Sequence, residues 1–244
     1  MRTIFGVLVC MTVAVCAGMG VLAAVEQQST VARIVVWEPK PGMTKEMEEG
    51  YKHHLEWHRR NDDRWAWDGW TITSGDRYGY FVDGTFFRTW NELDNPVAPT
   101  ADAADNAVNV LPYASVRSAS VYDELRGLSN LRPDELQLPL MTFCYVDVAP
   151  GRNAEFESAI EKAVSEDKHR LPHAIFRSAT DASRYLVMLP GEHASSLREH
   201  AEFLSRMLQA AAHEGHGAAL VEHVRAETAR RRPELSYAPQ IRPH

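Results

Sequence analysis

The chain has 244 residues, a formal net charge of −7 and 45% hydrophobic residues, enough apolar material for one large domain or two small cores. An acidic, mixed-sign surface argues against nucleic acid and against an anionic membrane face as partners. Of three cysteines, Cys10 and Cys16 lie near the start, so the remainder keeps only Cys144 and can form no internal disulfide.

Met1 and Arg2 precede an uncharged apolar run at residues 4–24 that ends in small residues. This pattern predicts a signal peptide over residues 1–24, hence an exported, periplasmic or secreted protein with no stable membrane association after cleavage. A retained N-terminal membrane anchor is the alternative, because 21 apolar residues can just span a bilayer.

Downstream, Ile34-Val35-Val36-Trp37-Glu38 reads as a buried strand, Pro41-Gly42 as a turn, and Thr44 as the cap of a helix with acids in its first turn. A strand at 70–73 and the run 76–82, which contains Arg77-Tyr78, form a hairpin. Helices are expected at 86–94 and 101–111, and an alternating segment at 115–125 closes the unit as a fourth strand. The grammar then repeats. Phe143-Cys144-Tyr145-Val146-Asp147 leads into Pro150-Gly151 and Asn153, 109 residues after their counterparts, and Arg184-Tyr185 lies 107 residues after Arg77-Tyr78. A helix at 194–212 follows, and the last segment at 219–228 reads equally as strand or helix.

Each unit, residues 30–133 and 138–240, therefore has a βαββαβ, ferredoxin-like order within an α+β chain. Helices would cover one sheet face, and two units would bury the other faces against each other in a barrel-like core. On the strand-Pro-Gly-helix segments at 34–48 and 143–157 and the Arg-Tyr hairpins, the sequence resembles the dimeric α/β-barrel superfamily, and within it NIPSNAP-like and antibiotic-biosynthesis-monooxygenase-like proteins, as a tandem repeat in one chain. The resemblance implies a pseudo-dimeric α/β barrel and no particular activity. Both a monomer and a homodimer fit it.

All six Trp fall in the first unit. Trp37, Trp57, Trp65, Trp67 and Trp70, with Tyr78, are the candidate walls of a pocket for a small apolar or aromatic ligand or a partner. Trp65 and Trp67, beside Asn61-Asp62-Asp63-Arg64, are the expected rim; packing of all six into the core is the competing reading. His54 and His58 share one face of the first helix and are the candidate catalytic residues of a cofactor-independent monooxygenase- or isomerase-like enzyme. Two imidazoles four apart also suit a metal, but no third ligand is nameable, so no metal is predicted; one alone suits haem, which makes a haem-binding protein the second alternative, although no cofactor is predicted. Asp62, Asp63, Asp68 and Asp76 are nearby acids. His213-Glu214-Gly215-His216-Gly217 lacks zinc-helix spacing and reads as a helix end. Cys144 reads as an inert buried thiol.

Overall fold

The computed structural model describes residues 30–167, 170–215 and 219–239; the leader expected at 1–24, and His216 and Gly217, lie outside them. The elements are β1 (Val31–Pro39), α1 (Thr44–Arg60), β2 (Asp68–Ser74), β3 (Phe81–Arg88), α2 (Trp90–Leu93), α3 (Pro99–Asn109), β4 (Ala114–Glu124), β5 (Leu140–Val148), α4 (Asn153–Ser165), β6 (Ala174–Ser178), β7 (Arg184–Gly191), α5 (Ser196–Glu214) and β8 (Val221–Arg231). No described helix is long and apolar enough to cross a membrane.

The eight strands are antiparallel and close into a barrel in the order β1-β3-β2-β8-β5-β7-β6-β4. In each half the local order is fourth, first, third, second. The halves meet edge to edge, β2 on β8 and β4 on β6, which removes open sheet edges at both seams. The two sheets are thus continuous and not merely stacked.

Period-two alternation sorts the strand residues. Ala32, Ile34 and Val36 of β1 point into the barrel with Trp70, Ile72, Phe86, Phe143 and Phe176. Val35 and Trp37 point outward beneath α1. In the second half Cys144, Val146 and Val187 point outward beneath α4 and α5, against Phe156, Ile160, Phe203 and Met207. Burial pushes the Cys144 thiol up to about 12, so it is an inert thiol at neutral pH. One barrel end is closed by Leu131 and Leu136 of the connecting segment. At the other, Arg77 Nε donates to both carboxylate oxygens of Glu227 at 3.0 Å, and Arg77 and Arg225 flank the Tyr145 ring. Arg77 therefore has a structural partner across the sheet.

The segment left open at 219–228 is a strand from Val221 on, part of β8. Other expectations need correction: residues 86–88 end β3 instead of starting a helix. Gly42 and Gly151 take φ of 77° and 78° in their turns, as Pro-Gly predicts. However, the caps are Met43 and Arg152, without side-chain bonds; Asn153 instead donates to Tyr185 Oη at 2.9 Å. Arg184-Tyr185 begins β7, whereas Arg77-Tyr78 stays in the β2–β3 turn, where Tyr78 is 74% exposed.

His200 is buried on α5, its Nδ1 at 2.9 Å from Thr142 Oγ1 and its Nε2 at 3.1 Å from Pro190 O. Burial lowers its pKa despite the Pro190 carbonyl. The unfolded chain therefore takes up this proton first, and stability falls as pH drops through the unfolded value of about 6.5. Replacing His200 by Asn removes that titration, so the loss of urea midpoint between pH 7.5 and 5.5 should be smaller in His200→Asn than in the parent; an equal or larger loss would contradict this assignment.

Candidate functional site

Along α1, Met47, Tyr51, His54, Leu55 and His58 recur at three- and four-residue spacing and form its buried face. His54 and His58 are each 4% exposed, while the adjoining His53 is exposed. The helix stops at Asn61, and Asp62 takes a left-handed φ of 51°, a conformation Asp tolerates. That turn folds Asp63 back beneath the helix. Its Oδ2 lies 2.7 Å from His58 Nδ1 and accepts from Trp67 Nε1 at 2.9 Å. Its Oδ1 accepts from the Trp65 amide at 3.0 Å. Burial alone would raise the Asp63 pKa, but bonds from His58, Trp67 and Trp65 outweigh it and hold the group below the usual carboxylate range.

The second wall is α3, which starts on Pro99 after Ala98 at φ 35°. Asp102, Asp105 and Asn106 stand at i, i+3 and i+4 and so share one face. That face meets α1 because residue 50 is glycine: a Cβ there would sit 1.7 Å from Asn109 O. Across the contact Asp105 Oδ2 lies 2.9 Å from His54 Nδ1, and Asn106 Nδ2 lies 2.9 Å from His54 Nε2. Burial, the largest influence, lowers the His54 pKa against the opposing pull of Asp105.

The two imidazoles converge. His54 Nε2 and His58 Nε2 are 3.1 Å apart, and Asp102 Oδ1 is 3.3 Å from the first and 3.7 Å from the second. Asp102, Asp105 and Asn106 are the residues of this cluster that the sequence did not single out. Their shared helical face was a readable signal, but nothing in the sequence places α3 against α1.

This centre lies on the wall of two adjoining cavities of about 260 and 330 Å³, which share Arg33, His58, Trp67 and Asp102. The first is also lined by Val35, Trp37, Tyr51 and Asp83, the second by Trp65, Leu93 and Val97. Arg33 stands 5.6 Å from the Trp67 ring centroid. Trp37 Nε1 donates to the buried Asp83 at 2.6 Å, whose pKa burial raises in spite of Arg33.

Of the aromatic candidates, Trp37, Trp65 and Trp67 line this crevice. Trp65 and Trp67 are 8% and 7% exposed, so they are buried walls and not a surface rim. Trp57 backs the imidazoles, stacked on His54 at 6.1 Å and edge-on to His58. Trp70 is directed into the barrel against Phe86 and Phe143, away from the crevice, because it falls on the inner face of β2. Tyr78 is in its exposed turn and touches none of this. Asp68 pairs with Arg231 at the barrel end.

The chemistry follows from the tautomers. A carboxylate at each Nδ1 can only accept, so each Nδ1 carries hydrogen, and in the neutral imidazole each Nε2 then presents its lone pair. Three lone-pair-bearing atoms thus point at one place, a centre that can take a proton from a bound molecule or hold a cation. Axial ligation of haem fits poorly: both Nε2 atoms face each other and Asp102, not a flat slot.

No protein-family model and no curated protein matches the sequence. The fold does match solved structures. A Fusobacterium nucleatum protein assigned to the monooxygenases superposes with a TM-score of 0.61 at 9% identity over 84% of this chain and 93% of its own. A chlorite dismutase mutant from Candidatus Nitrospira defluvii gives 0.55 at 10% identity over 84% and 92%, and an anthrone oxidase-like protein 0.52 at 10% over 85% and 92%. The chain thus has the α+β-barrel fold of these proteins.

At an exposed helix position, Gly→Ala stabilises by about 1 kcal/mol. At residue 50 the new methyl drives α3 from α1, so Gly50→Ala is expected to lower the unfolding free energy by about 1–3 kcal/mol in urea titration. A stabilised variant would show that the helices do not meet this closely.

Proposed function

We propose that this protein is a small-molecule enzyme that takes an apolar or aromatic molecule into the crevice between α1, α3 and the outer face of β1 and β3, and acts on it at the His54–His58–Asp102 centre. One observation carries the reading: two imidazole lone pairs, each fixed from behind by a carboxylate, converge on an aromatic-walled cavity of ligand size. A purely structural role would leave these buried polar groups as a cost without return.

The fold neighbours support a small-molecule reading in kind, since they are described as monooxygenases, chlorite dismutase and anthrone oxidase-like. The substrate that suits the centre is weakly acidic, with an O–H or activated C–H whose conjugate base the centre stabilises. Export rests on the apolar run at 4–24. A duplication of one ferredoxin-like unit rests on the shared strand order and on the 109-residue offset that relates β1 to β5.

4-Nitrophenol is a suitable probe because its phenolate is coloured. Binding at a pH where the free compound is largely the phenol is expected to produce the phenolate band. The band should vanish in the His54→Ala/His58→Ala double variant. Ala103→Trp, which fills the crevice from the exposed side of α3, should abolish probe binding while the circular dichroism spectrum is retained. Undiminished binding in Ala103→Trp, or an unchanged band in the histidine variant, would remove the crevice from consideration.

A further inference from the structure

The electron-rich centre has dimensions of its own. With bonds of 2.0–2.2 Å, a tetrahedral metal ion keeps its ligand atoms about 3.3–3.6 Å apart. The three donor atoms here are 3.1, 3.3 and 3.7 Å apart and all lie within 4.8 Å of one another. Two imidazole Nε2 atoms at 3.1 Å, with a hydrogen on each Nδ1, repel unless a proton or a metal ion stands between them.

The surroundings have the form of a metal site one layer out. Ligating histidines characteristically donate their other ring N–H to a carboxylate, which fixes the ring and strengthens the ligand. His54 has Asp105 in that position at 2.9 Å and His58 has Asp63 at 2.7 Å. Charge points the same way: Asp63, Asp102 and Asp105 crowd the two imidazoles. Asn106 adds a fourth contact. Its amide nitrogen is 2.9 Å from His54 Nε2 and 3.5 Å from Asp102 Oδ1, and its own Oδ1 is buried without a hydrogen-bond partner. A half-turn of that amide would bring its oxygen to the centre.

We infer that His54 Nε2, His58 Nε2 and Asp102 Oδ1 bind one divalent transition-metal ion, which then takes the place of the free imidazole lone pairs and meets the acidic group of the ligand. The inference rests on that reading for its role but not for its geometry. Two nitrogens and one carboxylate oxygen select zinc, cobalt, nickel, copper or ferrous iron over calcium and magnesium, which take oxygen shells. Three protein donors, one fewer than a closed structural site, leave a position for water or for the acidic group of the ligand. Such an ion would lower the pKa of what it binds, the property the crevice needs.

The test is titration of the chelator-treated full chain with CoCl₂, followed by isothermal calorimetry and by the visible absorption of cobalt in a nitrogen–oxygen site. One ion per chain is expected, with affinity lowered at least about 10-fold in Asp102→Asn and in His58→Gln, and by a similar factor in Asp63→Asn, which touches no metal. His53→Ala, on the exposed side of α1, should bind as the parent does. No bound cobalt, or affinity unchanged from the parent in Asp102→Asn and His58→Gln, would overturn the inference. The 4-nitrophenol measurement, made on the chain with and without cobalt, separates the two proposals. Probe binding without cobalt binding removes the metal and leaves the crevice; cobalt binding without probe binding does the reverse.

Discussion

The site depends on one close approach, the contact of α1 with α3 at Gly50. No side chain larger than hydrogen fits there, since a Cβ would lie 1.7 Å from Asn109 O. The glycine weakens α1 as an isolated helix, because it is the most entropically costly residue after proline at an interior position. In exchange it lets a helix bearing three polar residues lie directly over one bearing two histidines. Every distance at the centre that crosses between the helices, from Asp105 to His54 and from Asp102 to both imidazoles, follows from that contact.

The two halves use one topology for different ends. In the second, α5 has nineteen residues and packs Phe203, Leu204, Met207 and Ala211 into the sheet, against the apolar outward residues Cys144, Val146 and Val187. In the first, α3 has eleven residues, none of them buried, and the sheet beneath presents Arg33 and Asp83 beside Val35 and Trp37. A short helix over a mixed surface leaves a crevice; a long apolar one fills it. The buried carboxylates Asp63 and Asp83 cost desolvation that hydrogen bonds from Trp67, Trp65, His58 and Trp37 must offset. Local violations of apolar packing of this kind mark sites in otherwise consistent folds.

Much of the fold was legible because it is written in local chemistry. The Pro-Gly turns demand positive φ at Gly42 and Gly151, and the alternating runs expose the strand faces. The pairing of Arg77-Tyr78 with Arg184-Tyr185 misled, because matching letters lay in different elements. The β2–β3 turn is longer than its counterpart, so Tyr78 stays in it while Tyr185 enters β7. The site was half legible. His54 and His58 reveal themselves through i, i+4 spacing within one helix. Asp102 lies 44 residues beyond His58 in a separate helix, and only tertiary packing joins them. Trp70 was indistinguishable from Trp65 and Trp67 by composition; which face of β2 it occupies decides that it fills the barrel.

The central claim is that α1 and α3 bring three lone-pair donors onto one point at the wall of an aromatic crevice. A crystal structure from protein grown with cobalt, with data collected at the cobalt absorption edge, tests this most directly. The account predicts an anomalous peak bounded by His54 Nε2, His58 Nε2 and Asp102 Oδ1, with Asp105 and Asp63 still on the two Nδ1 atoms. A structure in which α3 stands away from Gly50, or in which cobalt lies elsewhere while these three atoms remain apart, would contradict it.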